Sequence, residues 1–265
     1  MTGNIETERQ RREREYYDLF ASYRERSEPH MAPISGTEKR PWNPYWRIFQ
    51  LVQERYALGK RLLDFGCGWG SNTVVFASIG YEVYGFDISD TNVRSARALA
   101  EHCGLSERVR IDTGLAEALT FEDSYFDVVV GVDILHHVEI ERALRETYRV
   151  LKPGGVAFFR EPVEQPLFDA IRNTALVRRV FPNEKSFENH ITEDERKLSA
   201  RDFEVVRSIF PSVRVESFRM LSRLAKFGEK YLMPLEKVDM ALTKVSGFTW
   251  LRGTVIFVLE KPRDR

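Results

Sequence analysis

Cysteine is nearly absent from this chain, with only Cys67 and Cys103 among 265 residues. Two thiols supply no disulfide framework, so a reducing, cytoplasmic setting is the simplest expectation. Long apolar runs are missing as well. No stretch reaches the roughly 18 apolar residues that a membrane-spanning helix needs, and the opening MTGNIETERQRRERE lacks the apolar segment of a secretory leader. Neither sign of charge is in excess: 40 Lys and Arg face 40 Asp and Glu. A nucleic-acid partner usually demands a basic surplus, so a small or neutral substrate is expected instead. The five histidines and two cysteines show no short ligand spacing such as C-x-x-C or H-x-x-x-H. No structural metal is expected, and a catalytic divalent ion is left open. Internal repeats and low-complexity tracts are also missing. Composition leaves the oligomeric state unspecified.

What is present is an alternating pattern. Residues 1–59 read as N-terminal helices: a dense Arg/Glu run whose charges form a solvated face, with Tyr16, Leu19, Phe20 and Tyr23 at helical spacing. A Pro-punctuated loop over 29–44 follows, then the amphipathic YWRIFQLVQERYAL, closed by Gly59. Residues 60–160 switch to β-α-β units. RLLDF, YEVYGFD, RVRIDTG, FDVVVGVD and VAFFREP read as strands, and SNTVVFASIG, TNVRSARALAEHCG and IERALRETYRVLKPGG as helices. Such repetition means an α/β fold with a doubly wound, mostly parallel sheet, whose ligand site lies at the strands' carboxyl ends. Residues 161–210, polar and weakly periodic, read as a helical cap inserted over that end. Residues 211–265 complete the sheet with SVRVESF and GTVIFVLEK, separated by helix over 219–246 that is interrupted near Pro234. That helical stretch carries Lys and Arg among apolar residues. It reads as cover for the sheet's far edge, with peripheral membrane contact as the alternative.

The chemistry concentrates where the first strand turns into its helix, at LLDFGCGWGS. Gly66, Gly68 and Gly70 allow a sharp turn and close approach of a ligand. A dinucleotide loop would read G-x-G-x-x-G; here the spacing is G-x-G-x-G, with Asp64 two residues earlier. An acid there would repel a pyrophosphate and suits a cationic amine. Asp87 ends the second strand, where an acid can accept hydrogen bonds from ribose hydroxyls. Loop, Asp64 and Asp87 in register fit a nucleoside that bears an amino acid.

LLDFGCGWGSNTVVFA, YEVYGFDIS, GLAEALTFEDSYFDVVVGVDILHHV and ETYRVLKPGG resemble, in order and spacing, the successive motifs of class I, Rossmann-like S-adenosylmethionine methyltransferases of the small-molecule type. The resemblance implies seven strands with the last antiparallel, and S-adenosylmethionine as cofactor. It implies that Gly66, Gly68 and Gly70 line the methionyl and ribose part. Asp64 would help to place the amino group, Asp87 would take the ribose hydroxyls, and Ile88 would cover one adenine face. Ala116 and Glu117 would sit near the adenine edge, and Val132 and Asp133 near the methionine end. One departure is Leu115, where the family often has an acid for the adenine amino group. YYDLFASY resembles a lid helix from which a tyrosine can reach the cofactor; Tyr16, Tyr17 and Tyr23 are the candidates, Tyr17 foremost.

For the reaction itself, His136 and His137 in DILHHV and His190 in SFENHITEDE are candidate bases. His30 and His102 read as incidental, and Trp42, Tyr45, Trp46 and Phe49 as packing. The expected activity is methyl transfer to a small-molecule acceptor. The favoured acceptor is a hydroxyl of a secondary metabolite, sugar or lipid-linked intermediate; N- or C-methylation, or cofactor binding without catalysis, are the alternatives.

Overall fold

The computed structural model describes residues 6–23, 40–57, 59–165, 196–218, 232–242 and 252–263. Seven strands, β1 (Arg61–Phe65), β2 (Glu82–Asp87), β3 (Val109–Thr113), β4 (Phe126–Val132), β5 (Leu151–Pro162), β6 (Ser212–Phe218) and β7 (Thr254–Glu260), form one sheet in the order β3-β2-β1-β4-β5-β7-β6. The first five pair in parallel, and β7 runs antiparallel between β5 and β6. The expected α/β sheet, with its antiparallel last strand, is the one observed.

Both faces of the central strands are buried, which is why they read as unbroken apolar runs. Leu63, Phe65, Val129, Phe159 and Phe257 point to one face and pack on α5 (Ile140–Val150) and α6 (Ala200–Ile209) through Leu144, Phe203 and Val206. The alternate residues Leu62, Val128, Val130, Phe158 and Ile256 point to the other face. There they meet Ile48, Phe49 and Val52 of α2 (Pro44–Glu54) and Val75 and Phe76 of α3 (Ser71–Ile79). A period of two in each strand thus builds two cores from one sheet. Phe49 lies in that core with Tyr45 packed against it, and Trp46 is buried on the same helix, in line with the reading of these aromatics as packing. The α4 helix (Asp90–His102) lies beside β3, and α1 (Glu8–Tyr23) lies against α4.

Several local expectations change. The α2 helix starts on Asn43, whose Oδ1 accepts the Tyr45 and Trp46 N–H groups, but it ends at Glu54, ahead of Gly59. Lys152–Gly155 does not end a helix: α5 stops at Val150, Leu151 already pairs with Phe126, and the KPGG turn is a register shift inside β5. Within the stretch 161–210, residues 200–209 form α6, which belongs to the helical layer on the sheet, since its apolar Phe203 and Val206 enter the core. Residues 166–195 lie outside the described residues. The helix α7 (Leu232–Leu242) lies against the edge strand β6. It continues through Pro234, its third residue, where the missing N–H is one that a first helical turn leaves unpaired anyway. Among the described residues no helix is long and apolar enough to cross a membrane.

Candidate active site

Parallel strands joined by right-handed crossovers place their outgoing loops on one rim, and the strand order switches sides between β1 and β4, which makes that rim a cleft. The β1 loop provides its floor. Gly66, Gly68 and Gly70 all have positive φ, at 73°, 53° and 91°. Their surroundings separate them. A Cβ on Gly70 would lie 2.7–2.8 Å from Ala96 of α4, and one on Gly66 would lie 2.7 Å from the Ile134 side chain. A Cβ on Gly68 would meet nothing within 4 Å. Gly70 and Gly66 therefore answer to packing, whereas Gly68 borders open space that a side chain would fill.

Asp64, at the end of β1, is 2 % exposed and accepts a 2.6 Å hydrogen bond from the Thr73 hydroxyl. Burial pushes its carboxyl up to about 7; the Thr73 bond opposes that shift and the negative charge of Asp87 adds to it. A cation arriving here would remove the penalty. Asp87 is held by three donors. Its Oδ1 accepts from the Ser89 N–H (2.9 Å) and the Asn92 amide (3.1 Å), and its Oδ2 from the Gly68 N–H (2.9 Å). Of roughly four lone-pair sites on a carboxylate, this leaves room on Oδ2 for one hydroxyl, fewer than the two implied by resemblance. Burial pushes the Asp87 carboxyl upward, against those hydrogen bonds. The buried acid without a cation, the free lone pair and the open space at Gly68 fit an aminoacyl nucleoside such as S-adenosylmethionine.

The remaining candidates fall on the same rim in different roles. Ile88 is half-buried directly after β2, and Ala116 is buried in the core beyond β3. Glu117 is a connector: its Oε2 accepts from the Gln10 amide of α1 at 2.9 Å and its Oε1 from the Glu139 N–H at 2.9 Å. Val132 packs at the end of β4, and Leu115 bridges to Ala118. Asp133 takes a left-handed φ of 55° that a branched or large residue tolerates poorly. Its Oδ2 accepts from Arg160 at 2.6 Å.

The two histidines of the β4 loop separate as well. His136 is buried, with Nδ1 2.7 Å from Glu161 Oε2, while Glu161 Oε1 accepts the N–H groups of Ile134 and Leu135. His137 faces α1. Its Nε2 lies 3.1 Å from the Tyr17 hydroxyl and its Nδ1 lies 3.5 Å from Glu13 Oε2. His190 lies outside the described residues, as do the side chain of Tyr23 and all of His30. Tyr16 packs edge-on against Tyr17.

Among the described side chains of α1, polar ones turn inward. Leu19 is 59 % exposed, whereas Gln10 and Glu13 are buried. Gln10 reaches Glu117, Glu13 and Tyr17 reach His137, and Asp18 accepts from the Ser89 hydroxyl and the Thr91 N–H. One helix thus touches the loops after β2, β3 and β4. Residues 10, 13 and 17 share a face by their spacing of three and four; that signal is in the sequence, hidden within a charged run. Thr73 carried no signal although Asp64 lies only nine residues earlier, and Glu161, legible as a rim carboxylate and alternative base, gave no sign of its hold on His136 from the neighbouring strand.

Residues 63–159 match the family described as a methyltransferase domain. Over 107 residues the chain is 42 % identical to a ubiquinone biosynthesis O-methyltransferase of Ruegeria pomeroyi, covering 40 % of this chain and 42 % of that protein. Over 177 residues it is 30 % identical to a ubiquinone/menaquinone biosynthesis C-methyltransferase of Yersinia enterocolitica, covering 64 % and 65 %. The chain thus spans less than two thirds of either relative's length. A solved geranyl diphosphate C-methyltransferase from Streptomyces coelicolor, in complex with Mg2+, geranyl diphosphate and S-adenosyl-L-homocysteine, aligns with a TM-score of 0.60 over 96 % of this chain and 98 % of that one. At 13 % identity that likeness shows the fold alone. Over residues 63–159, from β1 to β5, the chain is thus similar to a methyltransferase domain, carried on a Rossmann-like sheet of seven strands.

Proposed function

We propose that the chain transfers a methyl group from S-adenosylmethionine to a hydroxyl of a small molecule. The observation that carries this reading is the Tyr17–His137 pair, 3.1 Å apart, on the same rim as Asp64, Asp87 and the open side of Gly68. When bound, S-adenosylmethionine supplies an electrophilic sulfonium methyl whose departure leaves a neutral thioether. The protein's own work is then alignment, exclusion of water and disposal of one proton. Asp64 meets the cofactor's amino group. Asp87 accepts a ribose hydroxyl through Oδ2, and Ile88 and Ala116 border the adenine. Val132 and Asp133 stand toward the methionine end. The seated α1 helix covers this set and shields it from bulk water. Tyr17 passes the acceptor's proton to Nε2 of His137, which acts as the base. His136 is better suited to a structural role, because Glu161 holds it in the core. His190 stays a candidate base within the proposed acceptor-side insertion.

The acceptor class follows from the relatives and from charge. The named activities of the two relatives concern ubiquinone biosynthesis, and a chain with no net charge fits a small, uncharged or lipid-linked acceptor better than a nucleic acid. We place this work in the cytoplasm, with contact at a membrane surface where the acceptor is lipid-linked. A second reading, C-methylation, is favoured by the longer match to a C-methyltransferase. The same base serves it, since a deprotonated phenol is nucleophilic at the ortho carbon as well as at oxygen. The test is to incubate the protein with S-adenosylmethionine and a panel of hydroxylated aromatic acceptors. S-adenosylhomocysteine release is measured, and the new methyl is located by mass spectrometry and NMR. A methyl ether is the expected product, and a ring methyl would select the second reading. Cofactor binding with no release against the whole panel would favour a binding protein over an enzyme.

A further inference from the structure

Glu13 sits within a helix turn of exposed charges, yet its side chain is only 6 % exposed; its neighbours Glu8, Arg11 and Arg12 are 45–62 % exposed. A carboxylate held out of water in this way requires a partner of matching chemistry. Glu13 Oε2 lies 3.5 Å from Nδ1 of His137, and the other ring nitrogen, Nε2, lies 3.1 Å from the Tyr17 hydroxyl. Glu13 and Tyr17 are four residues apart on α1, so one helix face brings both groups to one imidazole.

A neutral imidazole carries one N–H, and the choice of nitrogen decides what each contact is. With the proton on Nε2, the bare Nδ1 lone pair would face the carboxylate oxygen, acceptor against acceptor. With the proton on Nδ1, an N–H faces the carboxylate at 3.5 Å, an electrostatic attraction rather than a hydrogen bond in this geometry, and Nε2 is left to accept from Tyr17. We propose that Glu13 is the positioning residue that fixes His137 with its proton on Nδ1, so that Nε2 is the basic nitrogen. This rests on the reading of His137 as the base and supplies what that reading lacks, a reason for Nε2 to be unprotonated. The other groups around the ring are consistent with it. From the β4 loop, His136 lies tilted against it with ring centroids 4.1 Å apart, but Glu161 of β5 takes the Nδ1 of His136, and Arg160 takes Asp133. His136 is therefore set by the sheet, whereas His137 is set by α1. The base acquires its tautomer only while α1 is seated.

The test uses the full chain, labelled with 15N, and reads histidine side-chain long-range 1H–15N correlations at pH 8, with His137→Gln to assign the signal. The expected wild-type pattern is protonation on Nδ1 of His137. Glu13→Leu is expected to move the proton wholly or partly to Nε2, and Glu13→Gln, whose amide oxygen still accepts, to keep it on Nδ1. In turnover, Glu13→Leu should lose about 10²-fold or more, within the range of general acid–base catalysis, and Glu13→Gln should restore most of the loss. A wild-type Nε2–H tautomer would overturn the proposal, and it needs no variant to fold. So would an unchanged Nδ1–H tautomer in folded Glu13→Leu. Because the tautomer is read without acceptor or cofactor, an Nδ1–H ring in a protein that transfers no methyl group would sink the enzymatic reading while leaving the Glu13–His137 pairing intact.

Discussion

Asp64 and Asp87 are two acids at the ends of adjacent strands, and the first of them titrates near neutrality because burial disfavours its charge. The sign of the consequence can be worked out. A carboxyl whose folded value of about 7 lies above its unfolded value of about 4 binds more protons in the folded state between those limits. Stability from this group is therefore greatest in acid and is lost as pH rises toward 7. A ligand's ammonium group beside Asp64 favours the ionised form, so binding releases a proton. Affinity for S-adenosylmethionine should rise from pH 6 to pH 8, and Asp64→Asn should flatten that rise, as titration calorimetry in buffers of different ionisation heat would register. A pH-independent wild-type affinity would remove Asp64 from the amine site. The glycines make a second test at this scale. Gly70→Ala should lower Tm, because its Cβ would lie 2.8 Å from the Ala96 backbone; overpacking of about 1–3 kcal/mol corresponds to several degrees in a chain of this size. Gly68→Ala meets no atom and should keep Tm within a few degrees while weakening cofactor binding at least tenfold. Equal effects of the two changes on binding and melting would contradict the division of roles.

At the scale of elements, α1 acts as a strap whose polar side chains engage the loops after β2, β3 and β4. Among its described side chains, the contacts that seat it on the rim are polar ones, from Gln10, Glu13, Tyr17 and Asp18. Such contacts are individually worth about 1 kcal/mol, which makes α1 easier to release than α2, whose Ile48, Phe49 and Val52 lie in the core. Tyr17→Phe and His137→Gln should each lower single-turnover methyl transfer by about 10²–10⁴-fold and hardly change cofactor affinity. Near-wild-type rates in both variants would leave proton removal to another group, or to a nucleophile that needs none.

For the whole molecule, the informative feature is where the chain leaves the sheet and returns. Val163 pairs with Leu198, and Leu198 N–H donates to Pro162 O while Glu164 N–H donates to Leu198 O. The chain thus leaves the sheet and rejoins it at the carboxyl end of β5, where Val163 and Glu164 meet Leu198. We propose that residues 166–195 govern the acceptor. Replacing them with a short glycine linker should leave S-adenosylhomocysteine affinity within about tenfold, or roughly 1.4 kcal/mol, and abolish transfer to the true acceptor. Full turnover by the shortened protein would refute this.

Much of this was legible in sequence because it is local. Period-two apolar runs specify buried strands, and Ser89 and Asn43 start helices by bonding N–H groups two or three residues on. The G-x-G-x-G turn with Asp64 and Asp87 marks the ligand rim, since topology alone brings the ends of β1 and β2 side by side. What only the tertiary structure decided is which groups come to face one another. Thr73 silences one oxygen of Asp64, Gly68 and Gly70 differ by what stands opposite them, and Glu161 claims His136 from the neighbouring strand. Helical periodicity grouped Leu19 with the apolar residues of α1, yet Leu19 is exposed. The rim that receives α1 is polar, so the face carrying Gln10, Glu13 and Tyr17 turned inward. A helix buries whichever side its partner surface can satisfy, and that surface is assembled only when the sheet is complete.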